Sequence, residues 1–461
     1  MRPLLKKPNL GPSLKNYRPV SNLSYISKLI EKAAGIQITK HMRKNQTSEV
    51  MQSAYKENHS TETAIIWIFN KLLTELDNNH AVLVSLLDLS AAFDTVDHEI
   101  LVRRLRETHG ISGQALNWFA SYLADRSMQV CVKGEYSDEV ILDVSLPQGS
   151  QLGPRLYSDY TQPIGRLIRI LEIIFHGYAD DTQLLRPVTS PSGLRDAIDH
   201  LSSSINRIGK WMFDNKLKLN PEKTEFLVIS SQRNQPKYDI NTLVLDDNSV
   251  PKVESARNLG VEIDSTLQLN THIVKITKIC YFYIGWILYI RKYISQDVTK
   301  SLVHAFILSR LDYCNGSLVG LPKNSLNKLQ RVMNTSARLI VGKRKYDHIS
   351  DSLQQLHWLP VKERADYKVL TILYKALHNM APVYLSDLII PYSAPRTLRS
   401  QSQCLLRPQK CRNKYGARSF QYMAPKLWNE LPLSLRSAPS FQVFKKNLKT
   451  HLFRKAYFSK I

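Results

Sequence analysis

The chain has 461 residues, of which 43% are hydrophobic, and a formal net charge of +24. This composition supports a large buried core, and the charge predicts a polyanionic partner, either nucleic acid or an acidic membrane surface. The five cysteines are scattered, odd in number and without a C-x-x-C pair. They argue against a disulfide framework and a zinc knuckle, and they fit an intracellular compartment such as the nucleus or the cytoplasm.

The first 264 residues predict alternating helices and strands. Helices are expected near residues 27–41, 61–76, 94–105, 152–171 and 194–208. Strands are expected at residues 81–89, 173–178, 182–188, 225–230, 242–246 and 258–263, with a hairpin around Lys133-Gly134. The first strand is nearly unbroken apolar sequence, as expected when both of its faces are buried. The order β-α-β-β-α-β between residues 81 and 230 resembles a ferredoxin-like split unit.

After residue 264 the pattern predicts mostly helices, including an apolar stripe behind an N-cap at Ser325 that consists of Leu326, Leu329, Met333, Ala337 and Ile340. Residues 1–264 hold 31 basic and 31 acidic residues, and residues 265–461 hold 32 basic and 8 acidic ones. This contrast indicates a catalytic core joined to a nucleic-acid-binding part, although an idle solubilising surface has the same composition. The most apolar stretch, Cys280 to Ile290, is about half the ~20 residues that a membrane span needs, so nucleic acid is favoured over membrane.

Two segments carry acidic residues where chemistry is expected. Asp88 ends the apolar strand, and Asp180 and Asp181 lie in the turn between the strands near residues 173–178 and 182–188. If these elements are neighbours in one sheet, three carboxylates converge on one point. Each segment alone also has a purely structural explanation, because Asp is common in turns and at strand ends.

Three carboxylates at such short separations repel one another and need a cation to neutralise their charge. Hard oxygen ligands select Mg²⁺, with Mn²⁺ as a substitute. Two such ions roughly 4 Å apart serve in-line phosphoryl transfer by activating a hydroxyl and neutralising the leaving pyrophosphate. The sequence therefore predicts a two-metal site formed by Asp88, Asp180 and Asp181.

The motifs resemble those of reverse transcriptases from LINE-type (non-LTR) retrotransposons, and they follow that family's order. Residues 178–181 (YADD) are similar to the Y-x-D-D box and residues 88–93 (DLSAAF) to the first palm motif. Further similar motifs are residues 16–21 (NYRPVS), 59–63 (HSTET), 146–154 (LPQGSQLGP), 220–224 (NPEKT) and 258–261 (NLGV).

The resemblance implies an α+β right-hand polymerase. Fingers and a ferredoxin-like palm would occupy residues 1–264, a helical thumb residues 265–380, and a basic C-terminal nucleic-acid-binding region residues 381–461. The implied activity is RNA-directed DNA polymerisation, in which a DNA 3′-hydroxyl is extended on an RNA template with dNTPs and two Mg²⁺ ions. A cyclase-type palm is disfavoured because no G-G-D-E-F-like turn is present.

The resemblance also implies roles for the residues around the carboxylates. Asp88 and Asp180 would ligate both metals, Asp181 would be a weaker ligand, and the backbone carbonyl of Leu89 would complete one metal site. Phe93 would stack under the deoxyribose and exclude a 2′-hydroxyl, because a rigid ring leaves no room for another oxygen. The alternative is that Phe93 is an ordinary core residue.

Other implied roles concern nucleotide and primer binding. Gln148 and Gly149 would line the nucleotide pocket, where glycine lets the backbone approach closely, although Gly149 could simply start a helix. Leu259 and Gly260 resemble the family's primer-gripping turn.

Three cations are implied phosphate ligands. Lys223 would reach the triphosphate and could protonate the leaving pyrophosphate. Arg18 and Lys56 would bind phosphates from the fingers. An ordinary solvated side chain is the alternative explanation for each of them.

The C-terminal part offers a second kind of contact. Five aromatic residues lie near Arg291 and Lys292, namely Tyr281, Tyr283, Trp286, Tyr289 and Tyr293. They could stack on bases, but such a stripe is more typical of a thumb's core, and we therefore expect them to be buried.

Some positions depart from the family's pattern. Residues 56–58 (KEN) replace a usual Arg-Pro-Gly, and Gln151, Arg155 and Asp159 are unusual for a helix that is mostly apolar in the family. Local drift, partner pairs or decay of a former element would each explain these changes. An upstream endonuclease is usual in such elements and is expected to be missing from this chain. The alternative to an active polymerase is therefore a decayed fragment that only binds RNA or DNA.

Overall fold

The computed structural model describes residues 1–6, 11, 13, 16–90, 93–238, 240–246, 248–392 and 403–458. At its centre lies a four-stranded antiparallel sheet in the order Glu225–Ile229, Ala81–Leu87, Asp181–Val188, Ile174–Tyr178. In chain order these strands are the fourth, first, third and second, which is the arrangement of a ferredoxin-like unit. The predicted α+β fold with such a palm is confirmed.

The sheet is buried on both faces because alternate residues of the Ala81–Leu87 strand enter two different cores. Val82 and Val84 join one apolar core, whereas Ala81, Leu83 and Leu87 join the other. Successive strand residues point to opposite faces, so a strand between two cores must be apolar throughout. This explains the unbroken apolar run in the sequence.

Before residue 264 the helices are Tyr25–Asn45, Thr61–Asp77, His98–Glu107, Gly113–Leu123, Gly153–Thr161, Pro163–Ile170 and Leu194–Asp214. The other strands form two-stranded ladders: Arg2–Leu5 with Tyr17–Val20, Leu89–Ser90 with Lys218–Leu219, Arg126–Met128 with Val140–Leu142, Cys131–Val132 with Glu135–Tyr136, Thr242–Leu245 with Asn248–Pro251, Ser255–Asn258 with Val261–Asp264, and Ile390–Pro391 with Leu406–Arg407.

The part after residue 264 is mostly helical, as predicted. Its α-helices are Asn270–Ile290, Gln296–Val303, Ser309–Asp312, Lys323–Val341, Ser350–Gln355, Val361–Leu377, Val383–Ser386, Phe420–Asn429, Leu433–Arg436 and Phe441–Tyr457, with a π-helical turn at His304–Leu308. The described part of this region shares one apolar core with the Thr61–Asp77 helix. At the end of that helix the Asp77 carboxylate accepts hydrogen bonds from the backbone N–H groups of Arg412 and Asn413.

Two local predictions were wrong, and a third was confirmed with a break. Residues 152–171 are helical as expected, but they form two helices, because Pro163 has no N–H and cannot continue the first one. The expected strand over residues 258–263 is a hairpin that turns at Leu259 and Gly260, both with positive φ. The helix after Pro322 begins at Lys323, so Ser325 lies inside it and is not its N-cap.

The Asn270–Ile290 helix is longer and more exposed than predicted. By length and composition alone, Asn270–Tyr293 is the one helix in the described ranges that could cross a membrane, a test that core helices of soluble proteins also pass. One stripe of it, including Ile273, Ile284 and Ile287, packs into the protein core. Only 22% of its apolar window is buried, so most of the remaining surface faces outwards.

Candidate active site

The acidic turn joins the Ile174–Tyr178 edge strand of the palm sheet to the neighbouring Asp181–Val188 strand. Tyr178 pairs with Asp181, so Ala179 and Asp180 are the two residues of the turn. Ala179 has a φ of 58°, as required at the first central position of a type II′ turn. Leu87 pairs with Thr182 on the neighbouring strand, which places Asp88 next to Asp181 at the same end of the sheet. The sheet register therefore brings the three predicted carboxylates together.

The electrostatics of the site agree with this convergence. Burial raises the pKa of Asp180, and the charge of Asp88 raises it further, whereas Arg18 and Lys223 act in the opposite direction. Burial and the charges of Asp180 and Asp88 raise the pKa of Asp181 to about 6. Asp180 and Asp181 are thus less easily ionised, because water is partly excluded and the Asp88 carboxylate lies near both of them.

Most of the predicted site residues line one cleft of about 510 Å³, namely Arg18, Asp88, Leu89, Phe93, Gln148, Gly149, Asp180 and Lys223. The Lys223 ammonium donates a hydrogen bond of 3.2 Å to the Asp88 carboxylate, which places the lysine directly at the acidic centre. Arg18 is exposed in this cleft, and its charge acts on Asp180. Ala91 and Ala92 of the first palm motif lie outside the described residues.

The remaining predicted residues lie elsewhere. Asp181 directly follows the turn but is not among the described residues that line this cleft. Lys56 is also absent from that lining; its ammonium donates a hydrogen bond to the Glu49 carbonyl, and burial lowers its pKa to about 8. Leu259 and Gly260 form a hairpin turn that the Tyr313 ring covers, and the Tyr313 hydroxyl donates a hydrogen bond of 2.6 Å to the Leu259 carbonyl.

The residues that line the cleft are fixed in position by contacts with neighbouring side chains and backbone. The Phe93 ring stacks on the buried Tyr157 ring at a centroid distance of 4.9 Å, so Phe93 has a rigid support. The Gln148 amide donates a hydrogen bond of 3.0 Å to the Asp94 carboxylate. Gly149 has a φ of 112°, and a side chain there would meet the Ser21 carbonyl at 3.2 Å. Conformation and space both require glycine at this point of the cleft.

Two supporting residues were missed in the sequence. Glu31 is buried, and its carboxylate accepts a hydrogen bond of 2.6 Å from the backbone N–H of Gln151, next to the P-Q-G-S motif. Gln52 is also buried and bonds to the backbone of Ala179 in the acidic turn. Neither residue has a local sequence signal, since each is a single polar residue whose partner lies far away in the chain.

The unusual charges of the Gly153–Thr161 helix are paired. Arg155 donates a hydrogen bond of 3.2 Å to the buried Asp159 carboxylate and one of 3.1 Å to the Ser48 hydroxyl. Burial raises the pKa of Asp159 to about 6, against the opposing effect of Arg155. Of the three explanations left open by the sequence, partner pairs match this arrangement.

The side chains of the acidic centre are of the type that binds divalent cations, but they are not yet close enough together to do so. Its donors are carboxylate oxygens, the ligands that Mg²⁺ and Mn²⁺ prefer, and burial together with the charge of Asp88 raises the pKa values of Asp180 and Asp181. Within the described ranges, no three Asp, Glu, His or Cys side chains are grouped closely enough to hold a metal. A metal ion there would compete with the Lys223 ammonium for the Asp88 carboxylate.

A second surface lies on the Asn270–Ile290 helix. Phe282, Trp286, Tyr289 and Tyr293 are 59–74% exposed. The spacing of Phe282, Trp286 and Tyr289 places them on one side of the helix, and Tyr293 follows in the 3-10 turn at its end. We call these four residues the aromatic face. The expectation that the aromatic stripe is core was wrong for Tyr281, Trp286, Tyr289 and Tyr293, which are exposed, whereas Tyr283 is half-buried and stacks on Phe306.

The chain resembles known proteins over most of its length. The family described as reverse transcriptase (RNA-dependent DNA polymerase) matches residues 5–263, more than half of the chain. "Probable RNA-directed DNA polymerase from transposon BS" of Drosophila melanogaster is 26% identical over 346 residues, which cover 72% of this chain and 37% of that protein. "RNA-directed DNA polymerase from mobile element jockey" of Drosophila funebris is 24% identical over 354 residues, 74% of this chain and 37% of that protein.

The chain thus spans little more than a third of the length of these curated relatives. Among solved structures, apo telomerase from Candida tropicalis is similar with a TM-score of 0.40 and 11% identity, over 93% of this chain and 61% of that one. The family membership follows from the match over residues 5–263 and from the order of the motifs. The chain belongs to the reverse transcriptase (RNA-dependent DNA polymerase) family and is of the non-LTR retrotransposon type.

Proposed function

We propose that this chain is an RNA-directed DNA polymerase that extends a DNA 3′-hydroxyl on an RNA template with dNTPs. The observation that carries the proposal is the single cleft in which Asp88 and Asp180 meet Phe93, Gln148 and Lys223. Carboxylates for metal, a rigid ring and a cation for phosphate are the groups that nucleotidyl transfer needs in one place.

Asp88, Asp180 and Asp181, with the Leu89 carbonyl, are the groups that would hold two Mg²⁺ ions, with Mn²⁺ as a substitute. When bound, such ions supply charge stabilisation for in-line phosphoryl transfer. Lys223, which contacts Asp88, would reach the triphosphate and could give a proton to the leaving pyrophosphate. Arg18 adds a second positive charge on the same cleft.

Phe93 and Gln148 would shape the nucleotide pocket. Because Tyr157 supports the Phe93 ring from behind, the ring cannot retreat to admit a 2′-hydroxyl. Gln148 is held by Asp94, and Gly149 allows the backbone to approach a bound nucleotide. These contacts favour dNTPs over ribonucleotides as substrates.

The template and primer would be bound by the basic C-terminal part. Between Asp264 and Asp297 the chain has no acidic residue, while Lys275, Lys278, Arg291 and Lys292 carry positive charge. The aromatic face lies within this segment, and exposed aromatic rings beside cations bind unpaired bases and phosphates. The Leu259-Gly260 turn, braced by Tyr313, would contact the primer.

A primer-extension assay tests the proposal. Purified protein should incorporate dTTP on poly(rA)/oligo(dT) in Mg²⁺ or Mn²⁺, and Asp180→Asn should reduce incorporation on the order of 10³-fold or more. Asp199→Asn removes an exposed carboxylate outside the cleft and should leave the rate unchanged. Salt-sensitive RNA binding by a wild-type protein that incorporates nothing with either metal would instead identify a decayed, binding-only fragment.

A further inference from the structure

A buried glutamine holds the backbone of the acidic turn. Gln52 accepts a hydrogen bond of 2.9 Å from the Ala179 N–H and donates one of 3.1 Å to the Ala179 carbonyl. Ala179 is the turn residue with positive φ, a conformation that residues with a side chain rarely adopt. The Gln52 amide thus satisfies both backbone groups of the one residue in the turn whose conformation needs support.

The segment around Gln52 is attached to the same strand. The Gly177 N–H donates to the Met51 carbonyl at 2.9 Å, and the Ser53 N–H donates to the Gly177 carbonyl at 2.9 Å. A side chain at Gly177 would meet the Gln52 amide at 3.2 Å, so the close approach depends on glycine. Residues 51–53 therefore extend the palm sheet beyond the Ile174–Tyr178 strand, up to the acidic turn.

This attachment is in turn tied to the C-terminal part of the chain. The Ser53 hydroxyl lies 2.8 Å from the Tyr384 hydroxyl and 3.0 Å from His176 Nε2, and all three side chains are buried. The Tyr384 hydroxyl also donates a hydrogen bond of 3.2 Å to the Thr63 hydroxyl. Tyr384 lies in the Val383–Ser386 helix, well beyond the residues 5–263 that match the family.

We propose that Gln52 is a positioning residue for the carboxylates of Asp180 and Asp181, and that Tyr384 holds the Gln52 segment in place through Ser53. The C-terminal part would then act on the chemical step as well as on nucleic-acid binding. The expected effect on the chemical step rests on the proposed polymerase activity. The role of Gln52 in holding the turn does not depend on that activity.

The physical reason is the repulsion within the acidic centre. Asp180 and Asp181 are neighbours in the chain and lie beside Asp88 at the same end of the sheet, so three like charges are held close together. A turn carrying such charges on a rarely adopted backbone conformation relaxes when its hydrogen-bond partner is removed. A displacement of about 1 Å at a reacting centre lowers rates roughly 10²-fold, even when substrates still bind.

Gln52→Met tests the proposal, because methionine has a similar length and volume but cannot make either hydrogen bond. The matched control is Gln330→Met, since Gln330 likewise accepts a backbone hydrogen bond, from Val361 at 2.8 Å, within the helical C-terminal part. Amide hydrogen exchange should rise about tenfold or more in the peptide containing Ala179 in Gln52→Met, and stay unchanged there in Gln330→Met. We expect kcat to fall about 10- to 100-fold while KM for dTTP stays within about threefold.

Tyr384→Phe removes one hydroxyl and keeps the buried ring, so it remains informative if Gln52→Met does not fold. It should raise exchange in the Ala179 peptide and lower kcat about three- to tenfold, with template–primer affinity unchanged. Unchanged exchange at Ala179 in both variants, or a rise spread equally over the whole protein, would overturn the proposal. A wild-type protein without polymerase activity would contradict the proposed function alone, because the exchange result would still decide the role of Gln52.

Discussion

Residues 1–264 and residues 265–461 differ in net charge and in the kind of surface that they expose. Residues 1–264 are neutral overall, and a concave cleft in them gathers acidic, basic and aromatic side chains. Residues 265–461 carry the whole positive excess, and the described part exposes aromatic rings on a helix. The contrast supports the proposal that the first part carries out the chemistry and the second part binds nucleic acid.

The division is not complete, because the two parts share one apolar core. The Thr61–Asp77 helix packs with the C-terminal helices, and Asp77 binds the backbone at Arg412 and Asn413. Domain boundaries at residues 264 and 380 therefore remain predictions. Substitutions confined to one part can test whether chemistry and nucleic-acid binding change independently of each other.

The largest expected effect is on the stability of the first part. Asp159→Ala removes the partner of the part-buried Arg155 and should lower the free energy of unfolding by about 3–5 kcal/mol, which urea denaturation measures. Replacing both residues with leucine should recover much of that loss, because no unpaired charge remains. Equal losses of unfolding free energy in the single and double variants would show that the unpaired Arg155 charge is not the cause of the destabilisation.

The next effect separates binding from chemistry. Trp286→Ala on the aromatic face should weaken binding of single-stranded RNA by about 10- to 100-fold, since a stacked base contributes about 1–3 kcal/mol. At saturating template–primer, kcat should not change. Tyr346→Ala is the matched control, because Tyr346 is an exposed aromatic residue beside Lys345 that does not belong to the Asn270–Ile290 helix. Equal losses of RNA affinity in both variants would contradict the claim that the aromatic face is the RNA-binding surface.

The smallest effect is a stability change at the acidic centre. The folded-state pKa of Asp181, about 6, lies above its ordinary value of 3.8, so the free energy of unfolding falls as pH rises through that window. In EDTA at pH 7.5, Asp181→Asn should therefore stabilise the protein by about 1–2 kcal/mol after solvent screening, with little difference near pH 4. Thermal unfolding of both proteins measures this; destabilisation at pH 7.5 would contradict the proposed charge repulsion.

The sequence predicted the palm and its cleft because their signals are local. Asp88 and the 180–181 pair stand at the ends of apolar strands, and a sheet with this strand order must bring those ends together. Glu31, Gln52 and Tyr157 were not predicted as supports, because each acts on a residue distant in sequence and has no pattern of its own. The aromatic face was misjudged for a related reason: helical spacing shows which residues share a side, but not what covers that side.

The central claim is that Asp88, Asp180 and Asp181 form one divalent-metal site. Electron paramagnetic resonance can count Mn²⁺ ions bound to the protein in the presence of RNA–DNA template–primer and a non-hydrolysable dNTP. We predict two ions per chain for the wild type, and fewer than two for Asp88→Asn and Asp180→Asn at the same free Mn²⁺ concentration. Two tightly bound ions in all three proteins would contradict the account.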